Sequence, residues 1–423
     1  MFVAEGQTPP IITGEWLVTE RYTLFQESPE KEATLHDIER LDDINVFISQ
    51  KEEFVIIKYL NSDLSDIIGI WNPKLVNEKI VGWELLLAFH NINAIGFLQI
   101  LQTSKCGTPT QLWSNIVDSF TSLTNPLQRQ TVSRSIFVKK DSNINIPNSP
   151  NISGKWLLTD RKFINDTNIN EEATLKDIEQ GKDLIVKIKQ KNEFITWYGQ
   201  NDKQNRIGIW QPKFYDGKLN GWQLLLANYK NTSIGFINIL EECCKPSKLY
   251  VNFVESYLSL TDPNQIQSVE QGVLIKKEQN NCNKFEFPDI SGNWFLTNHY
   301  SIIVNNTNPT PSLDDITKRA DVPIKIKQKG NFITWKFLDP TPQFPHLRNR
   351  LGIANPILFG DKITDWEFIL ADFDDTNIAF IQVLETDKCG RTVKLTLRLV
   401  ESFFSGLSPV QAQTVSRGVV IRR

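Results

Sequence analysis

The stretch ITGEWL at residues 12–17 decides the fold, because the chain repeats it twice. It returns as ISGKWL at residues 152–157 and as ISGNWF at residues 290–295, with the glycines 140 and then 138 residues apart. Solenoid repeats are about 20 to 50 residues long, and these periods are far longer. Each copy is therefore predicted to be a domain of its own.

A second motif supports three copies. GWELLLA at residues 82–88 matches GWQLLLA at 221–227 and DWEFILA at 365–371. Polar segments at residues 141–150 and 278–284 separate the copies, as short exposed linkers do. We predict three tandem domains with the bounds 9–140, 150–277 and 287–423.

The composition is that of a folded protein without a dominant charge. Of the 423 residues, 40% are hydrophobic and 22% are charged, so each domain can bury a core. The formal net charge of −3 gives no electrostatic reason to expect binding to nucleic acid or to an anionic membrane. No stretch approaches the roughly 20 apolar residues that span a bilayer, so we expect a soluble protein.

Short alternating runs between turn residues predict eight β-strands in each copy. In the middle copy they cover residues 154–159, 184–190, 193–198, 206–210, 221–228, 233–241, 248–259 and 267–276. Eight sequential strands favour an all-β fold of three antiparallel up-and-down barrels, because closure removes exposed sheet edges. A β-sandwich is the alternative.

Short helical connections are also predicted. Residues 172–178 and their counterpart 32–38 place helix formers after polar residues. Capping residues precede Pro126, Pro263 and Pro409, a pattern typical of a helix start.

The cysteines and the N-terminus indicate a reducing compartment. The five cysteines have no C-x-x-C spacing, and the N-terminus lacks the basic start and apolar segment of a secretory signal. We expect a cytoplasmic protein, with a virus particle as the other location. Only four histidines occur and none is spaced with a cysteine pair, so we expect no metal and no cofactor.

A Gly-x-Trp on the first strand resembles the opening of lipocalin-type and avidin-type barrels, the calycin group. Gly221-Trp222 before an apolar strand, followed by SIGF at 233–236, is similar to two neighbouring strands of avidin and streptavidin. The last two strands, with the turn at Asp262-Pro263 and with Gly272, are also similar. The resemblance covers most of each copy and implies a closed barrel with an aromatic-lined cavity.

The chain departs from that family at the polar groups that would anchor biotin. The resemblance implies an asparagine two residues after the first tryptophan, where this chain has Val18, Leu158 and Leu296. It also implies an acidic residue or asparagine on the last strand, where this chain has Phe137, Leu274 and Val420. Losing a hydrogen bond to a buried group costs about 1–3 kcal/mol, so we do not expect tight biotin binding.

Ten of the 11 tryptophans occupy positions that recur between copies, and only Trp113 stands alone. Those present in all three copies, predicted to line the barrel interiors as candidate ligand-binding residues, are Trp16, Trp83, Trp156, Trp222, Trp294 and Trp366. One interpretation is a pocket that stacks on a ring-shaped or sugar ligand. The favoured one is that large side chains fill a small barrel.

A carboxylate recurs on the seventh strand of each copy, at Asp118, Glu255 and Glu401. It lies on an otherwise apolar face, where it needs a partner or a raised pKa. A functional group at a pocket mouth is one interpretation. A structural ion pair is the favoured one, with Arg21 or Arg161 as the partner and His299 at that place in the third copy.

No catalytic constellation recurs, since no histidine repeats and no glycine-rich phosphate loop is present. We predict a non-enzymatic structural or multivalent interaction protein, such as a virion or scaffold component, with protein partners or self-assembly. A carrier of small apolar or ring-shaped ligands is the alternative, and an enzyme on a barrel scaffold comes third. The barrels either pack as a pseudo-trimer or seek further partners, and the insertion at residues 340–345 is predicted to serve a distinct partner.

Overall fold

The computed structural model describes residues 8–26, 34–61, 64–89, 94–118, 130–139, 144, 146–167, 172–199, 205–215, 218–228, 231–243, 245–259, 267–276, 286–305, 310–338, 349–359, 362–372, 377–405 and 408–422. Within these ranges, no helix is both long enough and apolar enough to cross a membrane. The insertion at 340–345 lies outside the described residues.

The predicted all-β class is confirmed, because each copy forms one closed antiparallel barrel. The strands of the first barrel are β1 Gly14–Gln26, β2 Ile38–Arg40, β3 Ile44–Lys51, β4 Phe54–Tyr59, β5 Ile67–Val76, β6 Lys79–Ala88, β7 Ala94–Thr103, β8 Pro109–Asp118 and β9 Gln130–Val138. Consecutive long strands pair, and β1 pairs with β9 to close the sheet. The short β2 adds to the edge of β1.

The other two barrels repeat this order. The second contains β10 Gly154–Asp166, β11 Glu179–Gln180, β12 Leu184–Lys191, β13 Phe194–Gly199, β14 Asn205–Tyr215, β15 Lys218–Asn228, β16 Asn231–Cys243, β17 Lys245–Ser259 and β18 Gln267–Ile275. The third contains β19 Gly292–Asn305, β20 Thr317–Lys318, β21 Val322–Lys329, β22 Phe332–Phe337, β23 Arg350–Phe359, β24 Lys362–Ala371, β25 Asn377–Thr386, β26 Thr392–Ser405 and β27 Ser408–Arg422. Pairs β10–β18 and β19–β27 close them, so the sandwich alternative is wrong.

The prediction of helical connections is wrong for the segments that the structure describes. Residues 172–178 form a single turn, in which the N–H of Asp177 donates to the carbonyl oxygen of Thr174 and the Thr174 N–H donates back to the Asp177 carboxylate. This side chain satisfies the backbone locally and so competes with a helix. Only a 3-10 helix, Leu313–Asp315, forms in the described part of the third copy. Ser408-Pro409 begins a strand, and residues 124–126 and 261–263 lie outside the described ranges.

The repeated opening stretch fastens the chain before each barrel to that barrel's third strand. Gly14 has a φ of 124°, in the left-handed region that strains any side chain. The indole N–H of Trp16 donates to the carbonyl oxygen of Ile12 over 2.8 Å, and the N–H of Ile12 donates to the amide oxygen of Gln50 on β3 over 3.0 Å. The other two copies repeat both bonds.

The three barrels pack against one another as a pseudo-trimer. Phe97, Phe236 and Phe380, at equivalent positions on β7, β16 and β25, meet edge to face with ring centroids 6.1, 6.3 and 6.3 Å apart. They belong to one apolar core that takes buried side chains from the outer faces of all three barrels. The barrel interiors form separate apolar clusters. The chain therefore buries a shared core between barrels in addition to the core inside each.

The contacts between barrels run in one rotational sense. Three equivalent lysine ammonium groups donate to carbonyl oxygens of the preceding barrel: Lys51 to Leu313, Lys191 to Leu35 and Lys329 to Leu175. Such head-to-tail contacts close here into a ring within one chain. We call the contact of barrels one and two the first seam, that of barrels two and three the second, and that of barrels three and one the third.

Candidate functional site

The predicted tryptophans fall into two structural classes. Trp16, Trp156 and Trp294 are almost fully buried within their barrels, where their indole N–H groups bond the main chain. Their aliphatic neighbours fill the surrounding interior in each barrel. These three side chains pack the barrel cores.

The other three predicted tryptophans pack against the interior cluster of their own barrel and also lie where it meets the next barrel. Trp222 packs edge to face on Trp113 of the first barrel, with ring centroids 6.2 Å apart. Trp366 meets Tyr250 of the second barrel in the same way, also at 6.2 Å. Trp113 and Tyr250 are equivalent by strand register, and the third member of that set is Thr396. At the third seam, the position that would cover Trp83 is therefore held by Thr396, which has no aromatic ring.

The third seam contains a groove of about 640 Å³ at this place. Trp83 and Thr396 both line it, and Trp83 is half-buried. Arg398 forms part of the wall and replaces the asparagines of the other seams. Its Nε donates to the Trp71 carbonyl oxygen over 2.8 Å, just as Asn115 donates to that of Trp210 over 3.0 Å. The exchange of a ring for threonine thus opens space that the arginine does not fill.

Charged pairs bridge two of the seams at a second equivalent position. Arg134 lies 2.6 Å from Glu193 across the first seam. Across the third seam, Arg417 binds both Glu53 and Glu52, and Arg398 lies 3.7 Å from Glu53. At the second seam the neutral residues Gln271 and Asn331 replace such a pair and hydrogen-bond to each other. The third seam is therefore the most highly charged of the three at this position.

A buried ionic cluster occupies the region where the seams converge. The Lys74 ammonium group lies 2.8 Å from Glu84 and 2.9 Å from Glu367, while that of Lys213 lies 2.7 Å from Glu84. The cluster has two positive and two negative charges. Lys213 and Glu84 pair across the first seam, and Lys74 and Glu367 pair across the third. By register, the positions that would complete a third pair hold Ile357 and Gln223, so the formal charge stays balanced.

The pKa shifts in the cluster follow from burial opposed by close ion pairs. Burial alone would lower the pKa of Lys74, but the Glu367 and Glu84 carboxylates outweigh it and raise that pKa. Burial would raise the pKa of Glu84, yet Lys213 and Lys74 hold it well below its usual range. For Lys213, burial prevails over the attraction of Glu84 and lowers the pKa. The cluster is an ion-paired structural centre.

The three predicted carboxylates, Asp118 on β8, Glu255 on β17 and Glu401 on β26, lie on the strand faces that turn to the barrel interiors. Burial raises the pKa of Glu255 to about 7, opposed by a hydrogen bond from Ser268. Burial likewise raises the pKa of Glu401 to about 7, opposed by Thr414. Asp118 is also buried. Burial thus favours the protonated form of these groups in the second and third barrels.

The arginines predicted as their partners bind elsewhere. Arg161 pairs with Glu270 at 2.6 Å and donates to the carbonyl oxygen of Lys182. Arg21 donates to the carbonyl oxygen of Asp42. His299 is buried, and burial followed by the nearby Arg319 and Arg350 lowers its pKa to about 4.

Sequence reasoning missed the residues that build the seams. Lys74, Glu84 and Gln99 alternate with apolar residues along their strands, a pattern that also marks a solvated sheet face. The signal that separates the two cases is a paired change between copies: the lysine position is Ile357 in the third copy, and the glutamate position is Gln223 in the second. A lysine that faces solvent does not require a matching change at a glutamate position of another copy, so the pair of changes indicates a buried contact.

In each barrel, an apolar side chain on the first strand lies beside an exposed apolar side chain on a neighbouring strand. In the first barrel Leu17 and Phe47 are both 37% exposed and are diagonal neighbours, because Leu17 pairs with Asn45, two residues from Phe47. In the second barrel Leu157 lies directly opposite the exposed Ile185, and in the third Phe295 lies opposite the exposed Ile421. The first-strand members Leu17, Leu157 and Phe295 occupy equivalent positions, whereas Phe47, Ile185 and Ile421 occupy three different neighbouring positions. We call the three pairs the outer patches.

Comparisons with known proteins show no family. No family model matches the chain, and no curated protein matches it. Two variants of transferrin binding protein B from Haemophilus parasuis Hp5 match with 9% and 6% identity and a TM-score of 0.19, covering 98% of this chain and 78% and 77% of theirs. The isotype 1 protein from serogroup B Neisseria meningitidis matches with 10% identity and a TM-score of 0.13, covering 99% and 79%.

Proposed function

We propose that this protein is a non-enzymatic, multivalent interaction protein that presents three similar apolar contact surfaces on one rigid body. The observation that carries the proposal is that each barrel has an outer patch that includes the same first-strand position, Leu17, Leu157 or Phe295. Exposed apolar side chains that sit singly need no explanation, but an apolar pair at this strand in every barrel supports a repeated contact.

The shared core supports the multivalent reading. The phenylalanine triad and the ring of lysine contacts hold the three barrels in one arrangement. Fixed spacing lets a second and a third contact form at high effective concentration once the first has formed. Weak individual contacts then give strong overall binding to a repetitive protein partner or to further copies of this chain, as in a scaffold or a virion.

The test removes the outer patches one barrel at a time. The variants are Leu17→Glu with Phe47→Glu, Leu157→Glu with Ile185→Glu, and Phe295→Glu with Ile421→Glu. Self-association is measured by light scattering over a concentration series, and partner capture by cross-linking in extracts of the source cells. We expect each altered patch to weaken the association about tenfold or more, because each removes one of three linked contacts.

The matched control places the same charges on exposed polar positions of the second barrel, Lys155→Glu with Lys187→Glu. This control should leave the association within about twofold of the wild type. A wild-type protein that stays monomeric and cross-links to no protein would contradict the proposal, as would equal loss in the control.

Small-molecule transport inside the barrels remains the second candidate function. The closed eight-stranded barrels support the proposed relation to avidin-type proteins, but buried tryptophan and aliphatic side chains fill the described interiors. Val18, Leu158 and Leu296 are buried at the places where biotin anchors would be needed. A ligand that co-purifies at up to three molecules per chain in native mass spectrometry would favour this candidate.

A further inference from the structure

The third seam differs from the other two in the residue that covers the tryptophan. Two seams cover a tryptophan with a ring, Trp113 on Trp222 and Tyr250 on Trp366. At the third seam Thr396 stands in that place and Trp83 borders the open groove. The same sequence thus contains two closed examples and one open example of a single interface.

The groove has the size and the wall of a small-molecule site. Its volume of about 640 Å³ lies within the usual range of roughly 300–1,000 Å³ for ligand pockets. The indole of Trp83 supplies a flat aromatic wall, and Pro73, Ile80 and Leu384 extend the apolar lining beside it. A ring-shaped ligand can stack on such a wall.

The polar lining is dense and its charges are paired, with Lys51 paired to Asp314 just outside the lining. Arg398 and Arg417 face Glu52 and Glu53, which bind them across the seam. Each charged side chain of this group is already partly neutralised by its partner. A charged ligand would therefore be repelled by a neighbouring side chain of the same charge. The Nε atom of Arg417 is buried and has no hydrogen-bond partner among the described residues. The guanidinium groups of the wall thus lie beside carboxylate acceptors.

We propose that the groove at the third seam binds a neutral carbohydrate, with the sugar ring stacked on Trp83. A pyranose has an apolar C–H face that suits an indole. Its hydroxyl groups both donate and accept, and so match carboxylate acceptors next to guanidinium donors. A flat aromatic ligand would use Trp83 but leave this mixed polar lining unpaired. The site goes beyond the protein contacts proposed above and does not depend on them.

The experiment uses the full chain and a defined panel of neutral sugars. The panel contains glucose, galactose, mannose, N-acetylglucosamine, N-acetylgalactosamine and their common disaccharides, each at millimolar concentration. Saturation-transfer NMR detects the bound sugar, and titration of the tryptophan fluorescence gives its affinity. We expect binding of at least one sugar at one site per chain.

Two variants place the site at the third seam. Trp83→Ala removes the stacking wall, and Thr396→Trp restores the residue that closes the first seam; each should weaken binding about tenfold or more. The matched control is Trp222→Ala, the equivalent change at the first seam, which should retain binding. Thermal unfolding checks that each variant is folded.

Three outcomes would overturn the proposal. The first is the lack of any bound sugar in the panel. The second is binding that survives in folded Trp83→Ala and Thr396→Trp proteins. The third is preferential binding of benzoate or of glucuronate, tested in parallel as an aromatic acid and an anionic sugar.

Discussion

The ammonium nitrogen of Lys213 lies 2.7 Å from a carboxylate oxygen of Glu84 across the first seam, where the Lys213 side chain is 12% exposed and that of Glu84 is 2% exposed. Glu84 also binds Lys74 at 2.8 Å, so one carboxylate serves two buried cations from two barrels. Breaking a buried ion pair by removing one partner leaves an uncompensated charge in a medium of low polarity. Glu84 therefore helps to fix the first and second barrels in their relative orientation.

The first prediction concerns Glu84. Glu84→Gln should destabilise the protein by about 3–5 kcal/mol, because it leaves Lys213 without a counter-charge. Adding Lys213→Ile reproduces the Ile357 and Gln223 combination of the second seam and should recover at least half of that loss. Chemical denaturation gives the free energies of unfolding.

Asp387→Asn is the control for Glu84, since Asp387 pairs with an exposed arginine four residues away. An exposed pair contributes about 0–1 kcal/mol, so this variant should unfold almost like the wild type. A double variant that is less stable than Glu84→Gln alone would contradict the compensation.

The second prediction concerns the phenylalanine triad. Phe97→Ala should cost about 3–5 kcal/mol, because it empties the place where all three barrels meet. Because the core is shared, the wild type should unfold in one calorimetric transition and the variant in more than one. Phe47→Ala, at an exposed position of the same barrel, serves as control and should keep the single transition. Separate transitions already in the wild type would show that the barrels are energetically independent.

The third prediction concerns pH. The folded-state pKa values of Glu255 and Glu401 are raised to about 7, from about 4.5 in an exposed chain. The folded state therefore holds their protons more tightly, so their stabilisation is full below about pH 4.5 and is lost as the pH rises through about 7. The variant with Glu255→Gln and Glu401→Gln should lack this loss. Relative to the wild type it should gain stability between pH 5 and pH 8, by up to about 2–3 kcal/mol for each glutamate.

The comparison with the wild type isolates the two glutamates from other titrations. His299 acts in the opposite sense, because its pKa is lowered to about 4 and its stabilisation is lost as the pH falls below about 6.5. It is present in both proteins and cancels in the difference. Around Glu255 the facing groups are Ser268, Arg206 and Glu270, and around Glu401 they are Thr414, Asp372 and Arg350. A difference that does not change with pH would refute the prediction.

The fourth prediction concerns the repeated opening stretch. Gly14→Ala should cost about 1–3 kcal/mol, because its φ of 124° strains any side chain even though the space around it is open. Gln50→Ala should cost a similar amount, since it leaves the N–H of Ile12 without its acceptor. The control is Thr13→Ala, at the exposed residue between Ile12 and Gly14. Equal stability of all three variants in thermal unfolding would show that the stretch does not hold the barrel.

Much of the barrel could be predicted from the sequence, because alternation and turn residues are local signals. All eight predicted strands of the middle copy are present. The first strand runs on to Asp166 instead of ending at Thr159, because a bulge with Asp160 at a φ of 50° lets a polar stretch continue in the sheet. A polar run of this kind looks like a turn until its partner strand is known.

The seams could not be predicted in the same way, because they depend on which outer face meets which. Trp113 was the one tryptophan without counterparts, and the structure gives the reason: its equivalents are Tyr250 and Thr396. Recurrence between copies picks out residues that do the same thing in each barrel. It passes over positions whose differences make one interface unlike the others.

The closed ring of head-to-tail contacts has an evolutionary consequence. In a trimer of identical chains, one mutation alters every interface at once, so an opening that admits a ligand also loosens the whole assembly. Here each interface is encoded by its own stretch of the gene. One of the three is free to acquire a new role while its two siblings keep the assembly intact.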